Sequence, residues 1–135
     1  MNEGKQSILI VDDDKFLLDM YALKFSQNNF EVYTAANGKE GIEKLQGGLN
    51  PKIILLDIIM PDMDGFEMLA KIKELHLSPN SIKIVLSNNG QQSDIEKCKN
   101  LGAVGYIVKA SSTPMEVIEE VKGILEKNLT YKNGL

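Results

Sequence analysis

The chain has 135 residues, a net charge of −4 and a hydrophobic content of 43%. Those values describe one soluble globular domain able to bury a full core. All 15 basic residues are lysines scattered among acids, which argues against direct nucleic-acid binding, where arginine and clustered positive charge dominate.

No apolar run approaches the roughly 18 residues needed to span a bilayer, so no membrane insertion is expected. The polar start Met1-Asn2-Glu3-Gly4-Lys5-Gln6-Ser7 is too short for a signal peptide. Cys98 is alone, so it forms no disulfide within the chain. A reducing, cytoplasmic location is the expectation, with Cys98 a small helix residue of no chemistry.

The elements follow in chain order. Residues 1–6 read as a disordered lead. Ile8-Leu9-Ile10-Val11 is a continuous apolar run that ends on Asp12-Asp13. Leu17, Met20, Tyr21 and Phe25 then recur at helical spacing. Phe30-Glu31-Val32-Tyr33-Thr34 alternates, as an edge strand does. Ile42 and Leu45 mark a short helix ended by Gly47-Gly48. Ile53-Ile54-Leu55-Leu56 runs into Asp57, and Phe66, Leu69 and Ile72 line the helix after it. Ile82-Lys83-Ile84-Val85-Leu86 runs into Ser87, and Ile95 and Leu101 frame a helix stopped by Gly102. Val104-Gly105-Tyr106-Ile107-Val108 runs into Lys109. Val117, Ile118, Val121, Ile124 and Leu125 belong to the last helix. Residues 128–135 read as a frayed tail, which leaves one domain over residues 7–127 with the chain ending where the domain ends.

Four helix starts carry one signature. Asn37 precedes Glu40, Asp64 precedes Glu67, Ser93 precedes Glu96 and Thr113 precedes Glu116, each by three residues. Such pairs satisfy two orphan amide donors at a helix N-terminus. Pro114 occupies the first helical position, where its missing N–H costs nothing.

Short continuous apolar runs are strands buried on both faces, the pattern of a parallel sheet. Right-handed crossovers put helices on both of its faces. The expected fold is α/β, a doubly wound five-stranded parallel sheet of order 2-1-3-4-5 with five helices. Its switch point lies between the first and third strands, and ligands bind at the carboxyl edge there. Asp12, Asp13, Asp57, Ser87 and Lys109 all fall on that edge.

Three acids converging at strand ends repel each other unless a cation sits among them. Their hard oxygens suit Mg²⁺, or Mn²⁺. An alternative for Asp12 and Asp13 is a turn whose acids cap the next helix. Asp57 has two readings: a nucleophile that accepts a phosphoryl group, or a third metal ligand without a covalent role. Lys109 can reach a phosphate as a point charge. Lys109 and Ser87 are weak signals singly and gain meaning by sharing one edge. Tyr106 reads on its own as a strand aromatic with a surface hydroxyl, and His76 as a surface residue near a helix end.

Residues 8–14, 55–65, 84–87 and 102–109 together closely resemble the receiver domain of two-component response regulators, a flavodoxin-like fold. The resemblance covers about residues 6–127. It implies that Asp57 is the phosphoacceptor of a histidine kinase or phosphotransfer protein. It implies Mg²⁺ held by Asp13, Asp57 and the backbone carbonyl of Ile59, with Asp12 assisting. Ser87 then reaches a phosphoryl oxygen, Lys109 pairs with the phosphate, and Tyr106 is the switch aromatic. The implied output is a reshaped surface of fourth helix, fifth strand and fifth helix, read by a downstream protein or output domain. Such a protein is a signalling domain rather than an enzyme, a monomer or a weak phosphorylation-dependent dimer.

Two positions depart from the pattern. Ala110 follows Lys109 where receivers commonly have proline, so the loop over residues 110–113 is expected to keep a trans bond. Asn88 follows Ser87 where a small residue is usual, and it can crowd the phosphoryl group or orient the hydrolytic water. Three other readings compete. A haloacid-dehalogenase-like phosphatase needs an Asp-x-Asp-x-Thr or Val pattern, and Asp12-Asp13-Asp14-Lys15-Phe16 lacks it. A flavodoxin-like nucleotide or flavin binder needs a phosphate loop where acids stand here. A degenerate receiver acting by contact alone does not need the full set of site residues.

Overall fold

The computed structural model describes residues 4–132, with side chains described through Asn128. Five strands form one wholly parallel sheet of order β2-β1-β3-β4-β5. In chain order the elements are β1 (Gln6–Val11), α1 (Lys15–Gln27), β2 (Phe30–Ala35), α2 (Gly38–Gln46) and β3 (Ile53–Leu56). There follow α3 (Gly65–Glu74), β4 (Ile82–Ser87), α4 (Gln92–Asn100), β5 (Ala103–Val108), a 3₁₀ turn (Lys109–Ser111) and α5 (Pro114–Lys132).

Alternation along the central strands feeds two cores. Ile8, Ile10, Ile53, Leu55 and Ile84 face α1 and α5, meeting Leu18, Tyr21, Phe25, Val117, Ile118 and Val121. Leu9, Val11, Ile54, Leu56 and Val85 face the other way, toward Ile42, Leu45, Met68, Leu69, Ile72 and Cys98. Because both faces are covered, these strands are apolar without a break. β2 lies at an edge, and its alternating burial matches that place.

Three boundaries differ from the sequence expectation. The polar lead gives up Gln6, which joins β1 and pairs with Phe30; residues 1–3 lie outside the described part. At the other end, α5 continues to Lys132, past the start of the expected tail. No proline follows Pro114, Leu125 is buried, and Asn128 Nδ2 donates to the Ile124 carbonyl at 2.9 Å. Residues 133–135 lie outside the described part.

The third difference is α4. Ser93 does not cap it; the helix begins at Gln92, with Gln91 at the cap position and no side-chain cap bond. Asn89 Oδ1 accepts from the Gln91 amide at 3.3 Å, which turns the chain into the helix early. The other three pairs do cap. Glu40 N donates to Asn37 Oδ1 at 2.8 Å. Asp64 and Glu67 form a reciprocal box, as do Thr113 and Glu116 at 2.7 and 3.2 Å.

Candidate functional site

The sheet ladder runs one residue beyond two strands. Asp12 N donates to the Ala35 carbonyl at 3.2 Å and Asp57 N to the Val11 carbonyl at 3.1 Å. The two acids are thereby fixed by backbone on neighbouring strands. Asp12 is 3% exposed and Asp57 8% exposed. Asp13 is exposed beside them. Oxygens of Asp12, Asp13 and Asp57 lie within 4.8 Å of one another. Helix capping falls to Asp14, whose Oδ1 accepts from the Leu17 amide at 3.2 Å. Asp12 Oδ1 in turn accepts from the Asp14 amide at 2.9 Å. The capping role is thus filled by the third acid, and the first two are left at the sheet edge.

Lys109 enters from the end of β5. Its Nζ donates to Asp12 Oδ2 at 2.8 Å and to Asp57 Oδ2 at 3.0 Å, with only 6% of the side chain exposed. Burial works against the Lys109 charge, yet the two carboxylates outweigh it and hold the ammonium above its ordinary pKa. The bond after Lys109 is trans, as is every peptide bond among the described residues. Alanine at position 110 therefore does not keep the amine from the acids.

Asp57 Oδ1 accepts from the amides of Ile58 and Ile59 at 2.7 and 3.4 Å. Burial raises the Asp57 pKa; Lys109 pulls it down and Asp12 pushes it up. Burial thus works against the charged carboxylate, and added positive charge beside it would favour that form. Three carboxylates and one ammonium leave the cluster two charges negative, and the donors are all hard oxygens. That set suits a divalent cation. Asn88, Ile59 and Leu17 line the same open cavity of about 260 Å³ above the acids.

Ser87 is the last residue of β4 and fully buried. It pairs with Val108, one residue before Lys109. Its Oγ accepts from the Asn89 amide at 3.3 Å. Tyr106 pairs with Val85 on the neighbouring strand. Its hydroxyl donates to the Asn89 carbonyl. Burial raises the Tyr106 pKa, with the Ser87 hydroxyl lowering it. The structure thus gathers Asp12, Asp13, Asp57 and Lys109 directly, and Ser87 and Tyr106, both bonded to Asn89, lie on the adjoining strands β4 and β5. Ile59 sits at the rim, 68% exposed.

Two residues near the site were not singled out by sequence. Asn89 carries bonds to Ser87 and Tyr106 that no short motif announces. Tyr21, 4% exposed in α1, lies within the electrostatic reach of Lys109 and Asp12, and burial raises its pKa. Helical spacing shows only that Tyr21 faces the core. His76 is exposed on the chain after α3, with φ at 52°.

Comparisons with known proteins agree with this geometry. Transcriptional regulatory protein SrrA of Staphylococcus aureus is 34% identical over 120 residues, covering 89% of this chain and 48% of SrrA. The chain thus spans about half the length of the curated relatives it matches. A CheY-like receiver domain protein from Methanospirillum hungatei superposes with a TM-score of 0.83 at 31% identity, covering 95% of this chain and 99% of that one. The chemotaxis protein CheY4 of Vibrio cholerae gives a TM-score of 0.82 at 25% identity, over 90% and 99% of the two chains. Residues 8–122 match the family described as the response regulator receiver domain, and the chain belongs to that family.

Proposed function

We propose that this domain takes up a phosphoryl group on Asp57 in an Mg²⁺-dependent reaction and passes the signal on by a change of surface. The observation that supports it best is the Lys109 ammonium bridging Asp12 and Asp57, with Asp13 beside them on one sheet edge. A structural ion pair does not need two further acids at the same strand ends.

Asp12, Asp13, Asp57 and the Ile59 carbonyl would hold the cation. When bound, it neutralises charge on the transferring phosphoryl group. An Asp57 carboxylate oxygen attacks phosphorus in line with the leaving group. One P–O bond to Asp57 forms as the donor's bond to phosphorus breaks. With a histidine kinase or phosphotransfer protein, that broken bond is P–N and the imidazole leaves with its electron pair. Lys109 keeps its contact with the new anion by moving from carboxylate to phosphoryl oxygen. The added charge is about −1.5 to −2. Ser87 gains a strong acceptor and turns toward it. Its departure changes the contacts of Tyr106, and the surface of α4, β5 and α5 follows. Both states are already sampled, phosphorylation shifts the balance between them, and a downstream protein that prefers the new surface reads the signal.

SrrA is a transcriptional regulatory protein in name, but this chain matches less than half of it; a DNA-binding output is not carried over. The test is incubation with phosphoramidate and Mg²⁺. Label should enter the protein, be released by hydroxylamine as an acyl phosphate is, and fail to enter when Mg²⁺ is chelated. Label that is stable to hydroxylamine, or that enters equally without Mg²⁺, would overturn the reading.

A further inference from the structure

Asn89 sits two residues beyond Ser87 and bonds in both directions. Its amide donates to Ser87 Oγ at 3.3 Å, and its carbonyl accepts from the Tyr106 hydroxyl. Its carboxamide reaches into α4. Nδ2 donates to Asp94 Oδ2 at 3.3 Å, and Oδ1 accepts from the Gln91 amide at 3.3 Å. One residue thus touches Ser87, Tyr106 and the first turn of α4.

α4 depends on such an anchor. Its cap position makes no side-chain bond, and Cys98 is its one buried residue. Lys97 lies over the Phe66 ring at 4.2 Å, which ties the later part of the helix to α3. A helix of nine residues is marginal without tertiary support. With so little burial, the polar ties of the first turn do much to set its place.

We infer that Asn89 is a positioning residue that ties the place of the first turn of α4 to the state of Ser87 and Tyr106. The inference rests on the phosphoryl-acceptor reading for its trigger. When Ser87 Oγ turns toward a phosphoryl group, it leaves the Asn89 amide. The loop then resettles around the Tyr106 bond, and the two carboxamide bonds carry that movement to Gln91 and Asp94.

The test uses the whole chain and amide hydrogen exchange of α4, with and without Mg²⁺ and beryllofluoride as phosphoryl mimic. Asn89→Ala keeps both backbone bonds and loses both carboxamide bonds. Its first α4 turn should exchange about fivefold faster in the free protein. Beryllofluoride should still bind it, with the same Mg²⁺ requirement, yet no longer alter α4 exchange as it does in the wild type. Asp94→Asn keeps an acceptor for Nδ2 and should retain most of the wild-type response, whereas Asp94→Ala should lose it. An α4 response in Asn89→Ala equal to the wild type, whatever its baseline exchange, would overturn the coupling alone. Failure of beryllofluoride to bind the wild type would instead overturn the phosphoryl-acceptor reading and the trigger with it.

Discussion

Asp57 carries a cost in the folded protein. Its pKa is raised by burial, so the folded state binds a proton more tightly there than the unfolded chain does. In the linkage relation, that sign means stability falls as pH rises through the window from the ordinary carboxylate value to the raised one. Above the window the full cost remains. Asp57→Asn should therefore stabilise the Mg²⁺-free protein at neutral pH, by about 1 kcal/mol. The gain should shrink to nothing as pH falls below the ordinary value, measured by urea unfolding across pH. A neutral-pH loss of stability in this variant would contradict the picture of a crowded acid site. Cys98 makes a second residue-scale case. Burial pushes its thiol up to about 11, and it is 1% exposed. It should resist aromatic disulfide reagents at neutral pH until the protein unfolds. Rapid reaction of the native protein would show that α4 opens readily. The sequence marks Cys98 as a small helix residue without chemistry, and the structure adds its burial.

Among the elements, the connection from β3 to α3 is the most tightly specified. A Cβ on Gly65 would stand 2.4 Å from the Asp57 carbonyl oxygen and 2.7 Å from Ile58 Cα. Both are backbone atoms, so the loop itself must move. Gly65→Ala should cost about 1–3 kcal/mol and weaken Mg²⁺ binding at the same time, because the displaced backbone carries Asp57; calorimetry with and without Mg²⁺ measures both. A loss of stability with unchanged Mg²⁺ affinity would mean that the loop absorbs the methyl away from the site. The strands and helices of this region were plain in the sequence, since apolar runs and cap pairs are local signals. The start of α4 was not. Ser93 and Glu96 have the spacing of a cap, yet Asn89 claims the turn through bonds to Gln91 and Asp94, and such competition depends on how the loop folds against Tyr106. The extent of α5 differs from the sequence expectation for another reason. The sequence places a frayed tail from residue 128, but no proline follows Pro114 and the helix runs on to Lys132.

At the scale of the whole molecule, the parallel sheet is what makes the site. It brings residues 12, 57 and 109 together by ending three strands on one edge. The order of the strands and the identity of the edge residues were legible, because apolar runs on both faces and alternating helices leave few topologies. The ion-pair pattern is not legible in the sequence: Lys109 is a weak signal singly, and its two hydrogen bonds, one to Asp12 and one to Asp57, depend on side-chain reach across β4. A ligand that binds only the folded state stabilises it, by about 2.7 kcal/mol at a hundredfold excess over its dissociation constant. Millimolar Mg²⁺ should raise the melting temperature of the wild type and raise that of Asp57→Asn much less. Equal shifts in both proteins would remove Asp57 from the cation site. Covalent uptake of phosphorus by one carboxylate shows in the intact mass of the protein after acetyl phosphate and Mg²⁺. The wild type should gain the mass of a single phosphoryl group, with the modified peptide containing Asp57, and Asp57→Asn should gain none. An equal gain in the variant, or a modified peptide elsewhere in the wild type, would exclude Asp57 as the acceptor.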